Sequence, residues 1–434
     1  MKRKQLPAMS SRGRFGRGSL ACRLFSVLAA ASILSVALAE PEPPAAAYVR
    51  PRGRSAVEYR LGPLAEGLRL PVDAVPLDDT GALLLVALDG VIQRYQDGAV
   101  DPQYFLSLAG RVTGLMGEQG LFSVALEPAE RANARGTPRH LIAAFTERGT
   151  NDLVVAAYPV LPDLSGAEAS EETVLLRIRV PEPFHHGGHV AFGPDGMLYV
   201  SVGDGQRNPR FLYDHPHPAR DLGSLRGKVL RIDPFPLGSD EPYAIPADNP
   251  FTAANDPEAA AAGARGEVWA YGFRNPWKFT FAPSDGAIIL SDVGEDTWEE
   301  IDVVVKGGDH GWPAREGPTC LAHPDTGVLV VPDCAELDLV PPVAYYGHPN
   351  IDPEGGFSVT GGTVVADAAL PDLLGKYVFG DFITGRLWSL DLDSGEVVLL
   401  LQTARPVSGI VDGPKGEVLV LGIDGTLARL AEAR

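Results

Sequence analysis

The chain has 434 residues, with 37 Lys+Arg against 56 Asp+Glu and a formal charge of −19 at pH 7. That acidic balance argues against a nucleic-acid partner, because phosphates demand a positive footprint. The length is ample for a large core, and one all-β domain reaches it when closed as a propeller.

The first predicted element is a leader. Lys2, Arg3, Lys4, Arg12, Arg14, Arg17 and Arg23 precede an apolar run over residues 24–38, and Ala37-Leu38-Ala39 offers a small-residue cleavage site. This pattern predicts a secretory signal peptide over residues 1–39; the apolar run is short for a membrane span. No twin-arginine pair is present, which points to export of the unfolded chain. The seven basic residues of the leader leave 30 Lys+Arg against the same 56 acids, a mature charge of about −26. Cys22 precedes the apolar run, the wrong place for lipidation. Removing it leaves Cys320 and Cys334, which in an exported chain are expected to form one loop-stapling disulfide. The protein is therefore expected to be periplasmic or extracellular, with no stable membrane insertion after cleavage.

Residues 40–57 are Pro- and Ala-rich and read as a loose lead. From residue 58 to 434 the pattern is short apolar strands and Gly/Pro/Asp turns, with almost no amphipathic helix. A strand unit recurs imperfectly, with strands near 82–95, 121–158, 190–232, 268–305, 362–390 and 410–430. About six such units predict an all-β, six-bladed β-propeller, whose closure hides the sheet edges. Long insertions at 208–220, 234–263 and 311–350 build up a loop rim.

One stretch is chemically dense. His185, His186 and His189 surround Gly187-Gly188, and a strand–turn–strand follows, with Gly193-Pro194-Asp195-Gly196 at the corner. This places a proton-transfer residue type at a sheet rim beside glycines that admit a ligand to the backbone. Ordinary loop histidines would give the same local pattern. Four more segments stand out: Glu118-Gln119-Gly120-Leu121-Phe122; Val202-Gly203-Asp204-Gly205; Tyr271-Gly272-Phe273-Arg274-Asn275-Pro276-Trp277; and the acidic run from Asp292 to Ile301, continuing to Gly308-Asp309-His310-Gly311-Trp312.

Together, in this order, these segments resemble the soluble pyrroloquinoline quinone (PQQ)-dependent glucose/sorbosone dehydrogenases, including aldose sugar dehydrogenases. Hedgehog-interacting-protein-like propellers share the pattern. The resemblance runs from about residue 58 to the C-terminus. It implies oxidation of an aldose C1 hydroxyl to the lactone, with PQQ and Ca²⁺ as cofactors and electrons leaving to an unidentified acceptor. His185 matches the catalytic base, and an imidazole suits proton removal near neutral pH. Arg274 matches the arginine beside the reducible carbonyl, and Asn275 a neighbouring cofactor donor. Gly294 and Glu295 match positions whose backbone carbonyls hold the calcium. Glu118, Glu299 and Arg405 match other cofactor-site positions. The chain departs from the pattern at four places. Glu118 replaces a glutamine, Val293 stands for another, Val407 replaces a second arginine, and no lysine falls near Ile383-Thr384. PQQ carries three carboxylates, so these changes remove charge-assisted contacts. Two rival readings remain at this level: a non-catalytic extracellular propeller that binds a protein or glycan, and a calcium-dependent lactonase-type hydrolase.

Overall fold

Short runs of β-branched and aromatic residues suit a pleated, half-buried surface, and the intervening Gly, Pro and Asp stop each run in a turn. The computed structural model describes residues 47–48, 53–78, 80–113, 118–206, 217–236, 241–322, 329–331 and 334–433. The predicted leader, its cleavage site and Cys22 lie outside the described residues.

The strands sort into six antiparallel blades and one small two-stranded ribbon. Blade one is Pro71–Pro76, Leu83–Ala87, Val91–Gln96 and Ala99–Ser107. Blade two is Leu121–Leu126, His140–Thr146, Leu153–Pro159 and Thr173–Ile178. Blade three is Gly187–Phe192, Leu198–Val202, Lys228–Pro234 and Val268–Tyr271, with the two-residue Tyr243–Ala244 beside it. Blade four is Pro276–Phe281, Ile288–Asp292, Trp298–Val303 and Ala344–Gly347. Blade five is Val359–Val364, Tyr377–Asp381, Arg386–Leu390 and Val397–Gln402. Blade six is Val407–Asp412, Val418–Gly422 and Thr426–Glu432, completed by Tyr59–Ala65 from the other end of the domain. That last pairing, with Tyr59 opposite Glu432, closes the ring.

The first strand of each blade packs against the first strands of both neighbours, so the six line a central channel. Six apolar clusters fill the wedges, one per blade interface. Val72, Leu84 and Val86 meet Leu121, Leu141 and Phe145 between blades one and two. Between blades four and five the cluster is aromatic: Tyr346, Tyr377, Phe379 and Trp388, with the last two rings 5.3 Å apart.

Two expectations change in detail. The fourth unit was expected to open with residues 268–271. Those residues are the outer strand of blade three, with Tyr271 opposite Lys228, and blade four opens at Pro276. The insertion after Pro234 separates that outer strand from its blade in sequence, so it reads like the start of the next unit. The lead is not wholly loose either: Ala47–Tyr48 runs parallel to Ala344–Gly347, and Arg54 bridges to Leu399. Cys320 and Cys334 are disulfide-bonded, stapling the blade-four insertion as expected.

All six inner strands share one irregularity. Each slips register within its first four residues, as at Gly187/Val190, Pro276/Lys278 and Leu121/Ser123. Such bulges re-aim the chain at the entrance of a strand. They ring one mouth of the channel, and the chemically dense segments enter there.

Candidate active site

Three blades meet at this mouth through one carboxylate. Glu118, ahead of blade two, accepts the His185 backbone N–H at 2.8 Å and the Asn275 side-chain amide at 3.3 Å through Oε2. The Asn275 Oδ1 in turn accepts the Gly187 N–H at 3.1 Å. Glu118, His185 and Asn275, expected at one site, are thus brought together.

His185 sits in the left-handed region, φ 52°, and is buried. A non-glycine residue holds that conformation only where its surroundings impose it. Here Glu118 ties its N–H and Gly205 donates to its carbonyl at 3.1 Å. Gly203 is needed beneath it, since a Cβ there would lie 2.1 Å from the His185 carbonyl oxygen. The ring Nδ1 lies 2.8 Å from Asp204 Oδ1. Asp204 is fully buried; it also accepts the Trp312 indole N–H at 2.8 Å and the Gln206 N–H at 2.9 Å, so its oxygens act as acceptors. Burial opposes its charge, but His185, His217 and Arg274 outweigh that cost and hold its pKa below the ordinary value. An ionised Asp204 sets Nδ1 as the protonated nitrogen and leaves Nε2 as the ring's acceptor, to which no described residue bonds.

The two neighbouring histidines differ. His186 is buried, donates to the Asn151 carbonyl at 3.3 Å and stacks on Phe122; burial pushes its pKa down to about 4. His189 faces the channel, accepts the Phe279 N–H, and is held neutral by burial and by Lys278.

Asp292 clamps the Arg-Asn pair: its two oxygens accept the Arg274 N–H at 2.8 Å and the Asn275 N–H at 2.6 Å. The Arg274 side chain is buried, with Nε donating to Glu295 at 2.9 Å, Nη1 to the Val293 carbonyl at 2.8 Å, and its guanidinium 5.6 Å from the Trp312 ring centre. Burial opposes its charge, yet Glu295, Asp204 and Glu118 raise its pKa further. Gly294 admits no side chain, because a Cβ would lie 1.7 Å from the Trp298 carbonyl oxygen. Glu316 Oε1 holds the same loop from beneath, accepting N–H groups of Glu295, Thr297 and Trp298 at 2.9–3.2 Å.

Two expected site residues are not part of this group. Glu299 is fully buried and joins His348 Nε2 and the Val359 N–H, both at 2.8 Å, so it ties blade four to blade five. Arg405 is half exposed and paired with Asp424 at 3.1 Å. Among the described residues no three His, Cys, Asp or Glu side chains form a metal cage.

A family model described as glucose/sorbosone dehydrogenase matches residues 68–430. This chain belongs to that family. Among its relatives, the HIPL1 protein of Arabidopsis thaliana is 35% identical over 57% of this chain, and the matched part spans only 35% of that protein. The aldose sugar dehydrogenase YliI of Escherichia coli is 26% identical over 55% of this chain and 57% of its own length. The E. coli soluble aldose sugar dehydrogenase in its apo-form shares the fold, with a TM-score of 0.65 and 22% identity over 86% of this chain and 98% of that one. A PQQ-bound aldose sugar dehydrogenase of Streptomyces coelicolor gives 0.62 and 21%, over 86% and 98%. In this family member the geometry brings to the site three residues that the motifs did not assign to it: Asp204, Trp312 and Glu316. The Gly-Asp-Gly run after Val202 was visible, but its pairing with His185 needed the folded hairpin.

Proposed function

We propose that the protein is an exported sugar dehydrogenase that oxidises an aldose C1 hydroxyl to the lactone, using PQQ and Ca²⁺. The observation that carries this reading is the His185–Asp204 pair, which leaves an imidazole acceptor at the channel mouth beside a buried guanidinium. His185 Nε2 takes the hydroxyl proton, and Asp204 keeps the ring oriented and stabilises the imidazolium that forms. Arg274 places fixed positive charge where negative charge develops on an acceptor oxygen. PQQ, when bound, supplies the two-electron acceptor for the C1 hydride. His185, Arg274 and Asn275 are tied to one mouth through Glu118, Asp204 and Asp292, which supports reading it as the place for the reactive edge of such a group. The Gly294 and Glu295 carbonyls accept no hydrogen bond from described residues, which suits oxygen ligation of calcium.

One observation favours a second reading, a non-catalytic propeller that binds a protein or glycan. Arg405 turns to Asp424, and Val407 stands where a second cation is expected, so the carboxylates of PQQ lack partners there. Adding PQQ and Ca²⁺ to the purified protein and following dye reduction with a panel of aldoses separates the two. Turnover that requires both additions is expected. Rates equal to a no-protein control would leave the binding reading.

A further inference from the structure

The Arg274 guanidinium is already engaged. Of its five N–H donors, the one on Nε and one on Nη2 meet the same Glu295 oxygen, and one on Nη1 meets the Val293 carbonyl. The pair is enclosed, with 8% of the Arg274 side chain and 23% of the Glu295 side chain exposed. In that state three of the five donors are occupied, and the Glu295 carboxylate offsets the charge that an anionic or carbonyl ligand would meet. The Glu295 backbone is fixed, because Glu316 holds its N–H and Gly294 admits no other residue. Its side chain is the part free to move. The same residue carries one of the two carbonyls that accept no hydrogen bond from described residues, so a divalent cation held there would give its carboxylate a second cationic partner within one residue's reach.

We infer that Glu295 is a counter-ion latch: its carboxylate closes Arg274 to the cofactor until a divalent cation at the Gly294 and Glu295 carbonyls draws it away. Cofactor acceptance is therefore gated by calcium through a side chain, in addition to ligation by the main chain. The inference rests on the reading of this mouth as a PQQ site. Only the molecules with Arg274 unlatched bind an anionic ligand, so apparent affinity falls by the unlatched fraction. The cation contributes by its differential affinity for the unlatched state.

Calorimetric titration of the full-length mature protein with PQQ, in EGTA and in excess Ca²⁺, tests this without turnover. Glu295→Gln keeps the side chain's size and removes its charge; Glu295→Ala is the second variant, and circular dichroism checks the fold of both. In EGTA both variants are expected to bind PQQ on the order of tenfold more tightly than wild type, and Ca²⁺ is expected to improve their binding less than it improves wild type. Wild-type binding in Ca²⁺ with no gain in either variant would overturn the latch and leave the cofactor reading intact. Binding by the variants alone, with none by wild type under any condition, would support the latch and remove the dehydrogenase reading of the native chain. Absence of binding by all three proteins would remove both.

Discussion

In the proposed reaction His185 is poised to act because other residues fix both of its ends. Its N–H is held by Glu118 and its Nδ1 by Asp204, so only Nε2 remains to act. His185→Ala is expected to lower kcat by on the order of 10²–10⁴ while leaving the fold and cofactor binding nearly intact. Steady-state kinetics of the reconstituted protein check this, and robust turnover in the variant would discard the assignment. Asp204→Asn is expected to lower kcat with little change in KM, because it disturbs the ring's orientation rather than the sugar's contacts. His186 offers a contrasting test by pH. Its pKa falls from 6.5 unfolded to about 4 folded, so the unfolded chain binds a proton that the folded chain refuses. Its contribution is therefore neutral above pH 6.5 and destabilising as pH falls toward 4, by at most about 3 kcal/mol. Urea unfolding across that window should show a shallower acid loss in His186→Asn than in wild type. The sequence marked His185 through its flanking glycines. It did not mark Asp204 as the partner, because the two meet only when Gly187 pairs with Val202 across the first hairpin of blade three.

At the scale of the element, the mouth is made by strand entrances. Each inner strand begins with a bulge, and the residue types that carry chemistry precede it, at Glu118, His185 and Arg274-Asn275. Alternation in the sequence made the strands legible. It did not reveal the bulges, since a register slip is a relation between two strands. The same limit explains Glu299. The family resemblance implied a cofactor contact there, while the fold places it in the wedge between blades, bonded to His348 and the Val359 N–H. Removing one partner leaves the other buried group uncompensated, so Glu299→Ala is expected to cost about 3–5 kcal/mol of unfolding free energy. PQQ affinity should change little. A variant with wild-type stability and weakened PQQ binding would return Glu299 to the cofactor site.

Closure is a property of the whole molecule. Each blade shares an apolar cluster with both neighbours, including Leu83 and Leu85 of blade one against Leu419 and Leu421 of blade six. The ring is therefore expected to unfold as one unit, because no blade can leave without exposing two faces. The closing pair brings together the two ends of the domain: Tyr59–Ala65 is the outer strand on Thr426–Glu432. This pairing was not legible in the sequence, because residues 59–65 precede the first recurring unit and their partner lies at the other end of the domain. A chain beginning at residue 66 would leave Thr426–Glu432 with an open edge, a template for pairing with another chain. It would also strip the cover from Leu430 and Val420, which pack in the wedge with blade five. Loss of the single cooperative urea transition, with self-association in ultracentrifugation, is the expected result. A chain beginning at residue 53 keeps the closing strand and should unfold at nearly the same urea concentration as the mature protein. Equal cooperativity and a monomeric state in the chain beginning at residue 66 would show that the ring does not depend on its N-terminal strand, and would place the closure in the wedges alone.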